Sequence, residues 1–117
     1  MISIFGININ NNKPCYIALS AIYGIGHSES KRICNNLGIG HNITFELLSK
    51  TDVLLLIKKI QSQYIIEGNL RKRIKTNIQN AIQIGSYIGF RHALHLPCHG
   101  QRTKTNARTV KKNKKLF

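Results

Sequence analysis

The sequence predicts an all-α protein: a helix-hairpin-helix-like domain followed by an extended basic C-terminal tail. Three observations carry that expectation. From Pro14 to Ile84 apolar residues recur at three- and four-residue spacing, which lines one face of a helix. The helical patterns are punctuated by Gly24-Ile25-Gly26, Gly38-Ile39-Gly40 and Glu67-Gly68-Asn69, where glycine supplies turn conformations closed to other residues. From Gly100 onward the chain is basic and almost free of apolar residues.

The elements follow in order. Ile2, Ile4, Ile7 and Ile9 suggest a short extended segment bent at Gly6. Pro14 suits a first helical turn, and a first helix is expected through Cys15, Leu19 and Ile22 to Tyr23. The Tyr23-Gly24-Ile25-Gly26 turn is then the hairpin, with Ile25 plugging between two helices. Its free backbone N–H groups are expected to point outward, where a phosphate can accept them, although Gly-x-Gly alone is more often a plain tight turn. Ser28 is the expected cap of the second helix, with Lys31 and Arg32 in its first turn and Ile33, Cys34 and Leu37 inward. Gly38 is its expected C-cap.

Ser49-Lys50-Thr51-Asp52 has the form of a capping box. It opens a helix that buries Val53, Leu56, Ile57, Ile60 and Tyr64. Asn69 is the expected cap of a further helix, Leu70 to Ile84, striped by Leu70, Ile74, Ile78, Ala81 and Ile82. Arg71, Lys72, Arg73 and Lys75 crowd its start, where the helix dipole favours acids. Stability does not explain them; a solvated face is one reading, and a phosphate-facing surface is preferred because the charge continues into Arg91 and the tail. After Gly85, a turn carrying Tyr87, Ile88 and Phe90 is expected to fold back on the core, and Pro97 to end regular structure.

A chain of 117 residues suits one small domain, here residues 1–90, with a tail over 91–117. Charge divides it further. The acids Glu29, Glu46, Asp52 and Glu67 all precede Gly68, whereas twelve of the eighteen cations follow it. This asymmetry fits a nucleic-acid-binding surface and disfavours acid–base catalysis. Between Arg102, Lys104, Arg108, Lys111, Lys112, Lys114 and Lys115 lie small polar residues, among them Gln101, Thr103, Thr105 and Asn106. Such a tail buries too little hydrocarbon to order itself and suits a polyanion.

Cys15, Cys34 and Cys98 are odd in number and far apart in sequence, so a reducing compartment is expected rather than a disulfide framework. No apolar run approaches the ~20 residues of a membrane span. The first cation is Lys13, so no Arg-rich leader is expected. Heavy use of Ile and Asn suggests AT-rich coding, as in an organelle or a reduced bacterial genome.

With those residues laid out, the chain resembles the universal small-subunit ribosomal protein thirteen family in its bacterial and organellar form. The block Gly100-Gln101-Arg102-Thr103-Lys104-Thr105-Asn106-Ala107-Arg108-Thr109 carries the likeness most specifically. Gly6-Ile7-Asn8-Ile9, Ile22 to Gly26, Glu67-Gly68-Asn69-Leu70-Arg71, Gly85 with Tyr87, Gly89 with Arg91-His92, and Leu96-Pro97 extend it.

The resemblance implies a helix-two-turns-helix domain with a long tail, seated in the head of the small subunit on the 3′ domain of the rRNA. It implies rRNA contacts through Gly24, Gly26, Lys31, Arg32, Arg71, Lys72, Lys75, Arg91, His92 and Gly100 to Lys104. It also implies tRNA and decoding-region contacts through Thr105, Asn106, Arg108, Lys111, Lys112, Lys114 and Lys115. Small-subunit protein nineteen and large-subunit protein five are the implied protein neighbours, with no catalysis, cofactor, membrane or homo-oligomer. A mitochondrial, organelle-encoded protein is expected, with a plastid or the bacterial cytoplasm as alternatives. Ile88, Ala93, Leu94, His95, His99 and Val110 depart from the family's more basic pattern and suggest a lighter rRNA grip there.

Other chemistry is weaker. His92, His95, Cys98 and His99 have the right ligand types for zinc, but their spacing matches no closed structural site, so no metal is expected. Cys98 beside His99 is a solvent-exposed pair without a legible third group. A free DNA-binding or nucleoid protein fits the charge and hairpin equally but leaves the ordered Gly100–Thr109 block unexplained. A basic membrane-surface protein lacks the required amphipathic helix.

Overall fold

The computed structural model describes residues 2–112 and is predominantly helical. It divides into two compact units, residues 1–70 and 71–117, with the division falling inside one helix.

The first unit opens with a small antiparallel hairpin, β1 (Ile2–Ile4) and β2 (Ile7–Ile9), in which Ile2 faces Ile9 and Ile4 faces Ile7. The expected extended segment is therefore a paired ribbon. Phe5 and Gly6 both have positive φ, 53° and 79°, the requirement of a tight two-residue hairpin turn. Ile4 and Ile9 drop into the core and Phe5 packs against it.

Helix α1 (Cys15–Leu19) is shorter than expected. Past Leu19 the backbone tightens into three-residue turns, with Ala21 N–H donating to Ala18 and Ile22 N–H to Leu19. The Ser20 hydroxyl donates to the Ile17 carbonyl at 2.6 Å, a local competitor of helix propagation. Pro14 lies just outside the helix as its N-cap residue, with ψ 143°. Ile25 plugs the turn and is buried.

Helix α2 (His27–Asn36) starts one residue before the expected cap. Gly26, in an extended conformation, occupies the N-cap position, and no side chain caps the helix. Ser28 therefore lies inside the first turn. The Ser30 hydroxyl donates instead to the Gly26 carbonyl at 2.9 Å. Because the helix begins at His27, Lys31 and Arg32 fall in its second turn. Its end follows the expected glycine: Gly38 has φ 70°, Gly38 N–H reaches the Asn35 carbonyl and Ile39 N–H the Cys34 carbonyl. That double bond pattern satisfies two terminal carbonyls.

Cys15 and Cys34, distant in sequence, face each other beneath α1 and α2 as buried free thiols. The Cys15 thiol donates to Cys34, which together with burial pushes the Cys15 pKa up; the same hydrogen bond pulls that of Cys34 down.

Ser49 caps α3 (Lys50–Gln63), its hydroxyl accepting from Asp52 N–H at 3.1 Å. The Asp52 carboxylate accepts from the Ser49 hydroxyl at 2.6 Å, not from the cap's backbone N–H as a full capping box requires. Leu56 and Ile60 are fully buried, with Val53, Ile57 and Tyr64 packed at the margin. Phe45, in a single 3-10 turn over Phe45–Leu47, completes the core.

The next helix, α4 (Glu67–Gln83), also begins earlier than the sequence suggests. Glu67 N–H donates to the Tyr23 carbonyl at 2.9 Å, and its carboxylate accepts Tyr23 N–H at 2.7 Å. This two-point clasp fixes the helix start against the hairpin, so Asn69 sits within the first turn rather than capping it. The clasp holds Glu67 at φ 46°, a conformation non-glycine residues adopt only when their surroundings enforce it. An acid thus occupies the first turn, as the dipole favours, and the cations begin one turn later.

In the second unit α4 buries none of its residues. Gly85, at φ 74°, ends it. The Ser86 hydroxyl then donates to the Ala81 carbonyl at 2.9 Å and accepts Gly89 N–H at 3.1 Å, capping α5 (Tyr87–Ala93). Gly89 is where α5 meets α4: a Cβ there would collide with the Ala81 carbonyl and come within 2.6 Å of Ile82 N. Tyr87, Ile88 and Phe90 do not fold back on a core; they are 65%, 47% and 60% exposed. The contact is made by backbone at a glycine, which turns the larger side chains outward. Regular structure also resumes after Pro97, in α6 (Arg108–Lys112). Among the described residues no helix is long and apolar enough to cross a membrane.

Candidate nucleic-acid interface

In the first unit the candidate surface is the hairpin and the start of α2. Gly24 and Gly26 differ in what they do. Gly24 has φ 108°, and a Cβ on it would approach Leu70 Cδ2 to 2.9 Å and the Ile65 carbonyl to 3.1 Å. Its lack of a side chain lets the hairpin pack against the turn before α4. Gly26 faces open space, with nothing within 4 Å of where a Cβ would stand. As an N-cap without a capping side chain, it leaves the start of α2 accessible to an anion, where backbone donors and the helix dipole favour one.

Lys31 lies over the Tyr16 ring at 5.4 Å, and His27 meets the same ring edge-on at 5.1 Å. Arg32 is exposed but committed: Glu29 approaches it at 3.4 Å and the Tyr64 hydroxyl at 3.5 Å. Tyr64 in turn donates to Glu29 at 2.8 Å. The Tyr64 contact, followed by the Glu29 charge, raises the Arg32 pKa, so Arg32 stays cationic and is aimed rather than free-swinging. Sequence reasoning misses this arrangement because Tyr64 reads there only as an apolar position on α3.

The second unit carries the greater charge. Arg71, Lys72, Arg73 and Lys75 are all exposed on α4. Arg71 and Lys75, four residues apart, share one helical face. Arg91 is half-buried and holds the chain together: Nε donates to the Pro97 carbonyl at 3.0 Å, and the guanidinium lies over Tyr87 at 5.9 Å. His95, at φ 55°, occupies the left-handed position that ends α5. His95 N–H bonds to the His92 carbonyl and Leu96 N–H to the Arg91 carbonyl, the same closure that Gly38 makes after α2.

The tail block does not simply run outward from this point. Gln101, Arg102 and Asn106 line a cleft of about 580 Å³ with His92 of α5. Ala107 is buried, and α6 begins directly after it. The His99 N–H donates to Gln101 Oε1 at 3.2 Å. Gly100, Thr103, Lys104, Thr105, Arg108, Lys111 and Lys112 are exposed. Lys114 and Lys115 lie outside the described residues. The sequence signal for the cleft is the apolar Leu96, Pro97 and Val110 flanking a polar block, but spacing alone does not bring them together. Among the described residues no three His, Cys, Asp or Glu side chains gather to hold a metal.

A protein-family model described as Ribosomal protein S13/S18 matches residues 3–109. The match takes in the β-hairpin from Ser3, the α2 start, the whole of α4 and α5, and the tail through Thr109.

Proposed function

The chain belongs to the ribosomal protein S13/S18 family, and on that premise we propose a specific place for it within the small subunit. Membership makes it a small-subunit ribosomal protein that binds rRNA, in a family whose role is structural rather than enzymatic. Beyond that, we infer a seat in the head of the subunit. Residues 1–90 would form the rRNA-anchored domain, and residues 91–117 would extend toward the A- and P-site tRNAs. Large-subunit protein five across the subunit interface and small-subunit protein nineteen alongside complete the proposed surroundings, in a mitochondrial ribosome.

The observation that carries this reading is the separation of charge. No acid follows Glu67, and among the described residues the cations of α4 and of the tail from Arg102 to Lys112 stand exposed. The site residues divide by role. Gly26, Lys31 and Arg32 present donors at one end of α2; Arg71, Lys72 and Lys75 present a phosphate-facing helix surface. Gly24 and Arg91 act by positioning, through close packing and through the Pro97 hydrogen bond. His92 and Gly100 to Lys104 contact rRNA, and Thr105 onward reaches the decoding region. The Ile- and Asn-rich composition supports the organellar assignment.

UV crosslinking in the native cell, with sequencing of the attached nucleic acid, tests the proposal. Crosslinks in the 3′ domain of small-subunit rRNA, with tRNA anticodon stems attached to tail peptides, are expected. Dispersed genomic DNA without rRNA would replace the ribosomal placement by a nucleoid role.

A further inference from the structure

We propose that the cleft between α5 and the tail is a nucleobase-binding site, which receives one unstacked base of a single-stranded rRNA segment. The inference rests on the rRNA-binding reading and adds a mode of contact to it.

Its volume of about 580 Å³ lies within the ~300–1,000 Å³ typical of small-ligand sites. Ile88, Leu96, Pro97 and Val110 supply apolar lining. A planar, weakly polar ring face is suited to such walls, whereas a phosphate is not. Polar groups stand among them: the side-chain amides of Gln101 and Asn106 offer donors and acceptors to a base edge. Since Gln101 Oε1 already accepts His99 N–H, its amide nitrogen remains oriented as a donor. Arg102 lines the same cleft and can hold the phosphate of the nucleotide that enters, with exposed Lys104 and Arg108 along the continuing strand.

This combination selects the occupant. An apolar peptide side chain would use the walls but leave the amides and Arg102 desolvated against hydrocarbon, which is unfavourable. A duplex backbone would use Arg102 but not the walls. An unstacked base with its phosphate uses both, the usual route by which single-stranded RNA is recognised. It also gives the ordered Gly100–Thr109 block a reason beyond its charge: Gln101, Arg102 and Asn106 are required at fixed places, while bare neutralisation would accept any order of cations.

The test uses the full chain assembled into small subunits, comparing Val110→Phe, which fills the cleft without altering charge, with Leu55→Phe, which adds a ring at an exposed residue outside the cleft. Base-specific chemical probing of the rRNA is read alongside UV-crosslinked peptides. One unpaired nucleotide should be protected in the parent and Leu55→Phe subunits and crosslinked to the peptide spanning residues 96–110. In Val110→Phe that protection should be lost, while crosslinks to the Arg71–Lys75 peptide persist. Protection unchanged by Val110→Phe, or a cleft peptide crosslinked to protein instead of RNA, would overturn the nucleobase site. Absence of rRNA crosslinks from every peptide would instead overturn the rRNA-binding reading beneath it. If Val110→Phe fails to assemble, the residue crosslinked in the parent decides: a base attached to Leu96, Pro97 or Val110 of the cleft wall supports the site, and attachment only at Gly100 to Lys104 refutes it.

Discussion

Residues 1–70 bury Phe45, Leu56 and Ile60 completely, whereas residues 71–112 bury only Gly89, Pro97 and Ala107. The first unit is held by hydrocarbon removed from water, the main favourable term in folding. The second relies on a glycine contact, a serine cap and left-handed helix ends, each of which orders backbone without burying much. Charge follows the same division, with every acid in the first unit and twelve cations in the second. A weakly cored, highly cationic segment gains most from an anionic partner, because that partner supplies both the counter-charge and the ordering contacts. Stability and function are thereby concentrated in different parts of one chain.

The largest expected effect breaks the comparison on the binding side. Removing Gly100 to Phe117 deletes seven cations. The log–log salt dependence of RNA binding should become shallower by about 5 to 6, at roughly 0.7 to 0.9 per phosphate contact. Thermal unfolding of the first unit should be little changed. Filter binding across a salt series, paired with a melting curve, measures both. An unchanged slope would mean that the tail's cations do not sit on phosphates.

On the stability side, Phe45→Ala removes a fully buried ring and should cost about 3–5 kcal/mol, a large part of the stability of a small domain. The matching change in the second unit, Ile74→Ala at a 41% exposed position, should cost less than about 1 kcal/mol. Urea unfolding compares them directly. Equal losses would show that α4 is covered as effectively as the core of the first unit.

Gly89→Ala sharpens the contrast from within the second unit. The added Cβ collides with the Ala81 carbonyl, which is backbone and cannot rotate away, so α5 must separate from α4. Overpacking of this kind costs about 1–3 kcal/mol. Hydrogen-exchange protection should fall over Tyr87–Ala93 and hold over Lys50–Gln63. A uniform loss would indicate that the two units open together.

What is legible in the sequence follows the same physics. Features determined by neighbours a few residues away are readable: the Gly38 helix end, the Ser49 cap, the stripe of Val53, Leu56 and Ile60, and Ile25 as a plug. Features decided by contacts across the chain are not. Gly68 and Asn69 look like a break that delays α4 to Leu70, but the Tyr23 clasp on Glu67 starts the helix sooner. The hydrophobicity of Tyr87 and Phe90 points them inward, yet the contact belongs to a residue beside them, Gly89. Tyr64 bonding to Glu29 and Arg32, and Gln101 and Asn106 beside His92, join distant positions that no local pattern pairs.

The smallest effect separates a cap that forms from one that only looks possible. Ser49 and Ser28 both stand near a helix start, and both read as caps in the sequence. Of the two, Ser49 alone does so: its hydroxyl accepts Asp52 N–H at 3.1 Å, while α2 has no side-chain cap, because Gly26 already occupies that position. Ser49→Ala should therefore cost about 0.5–2 kcal/mol. Ser28→Ala, a substitution inside a helical turn, should be neutral or slightly stabilising, since alanine is the better helix former by a few tenths of a kcal/mol. Paired melting curves resolve the difference. A comparable loss at Ser28 would place the start of α2 two residues later, and with it the backbone donors that Gly26 leaves open to a phosphate.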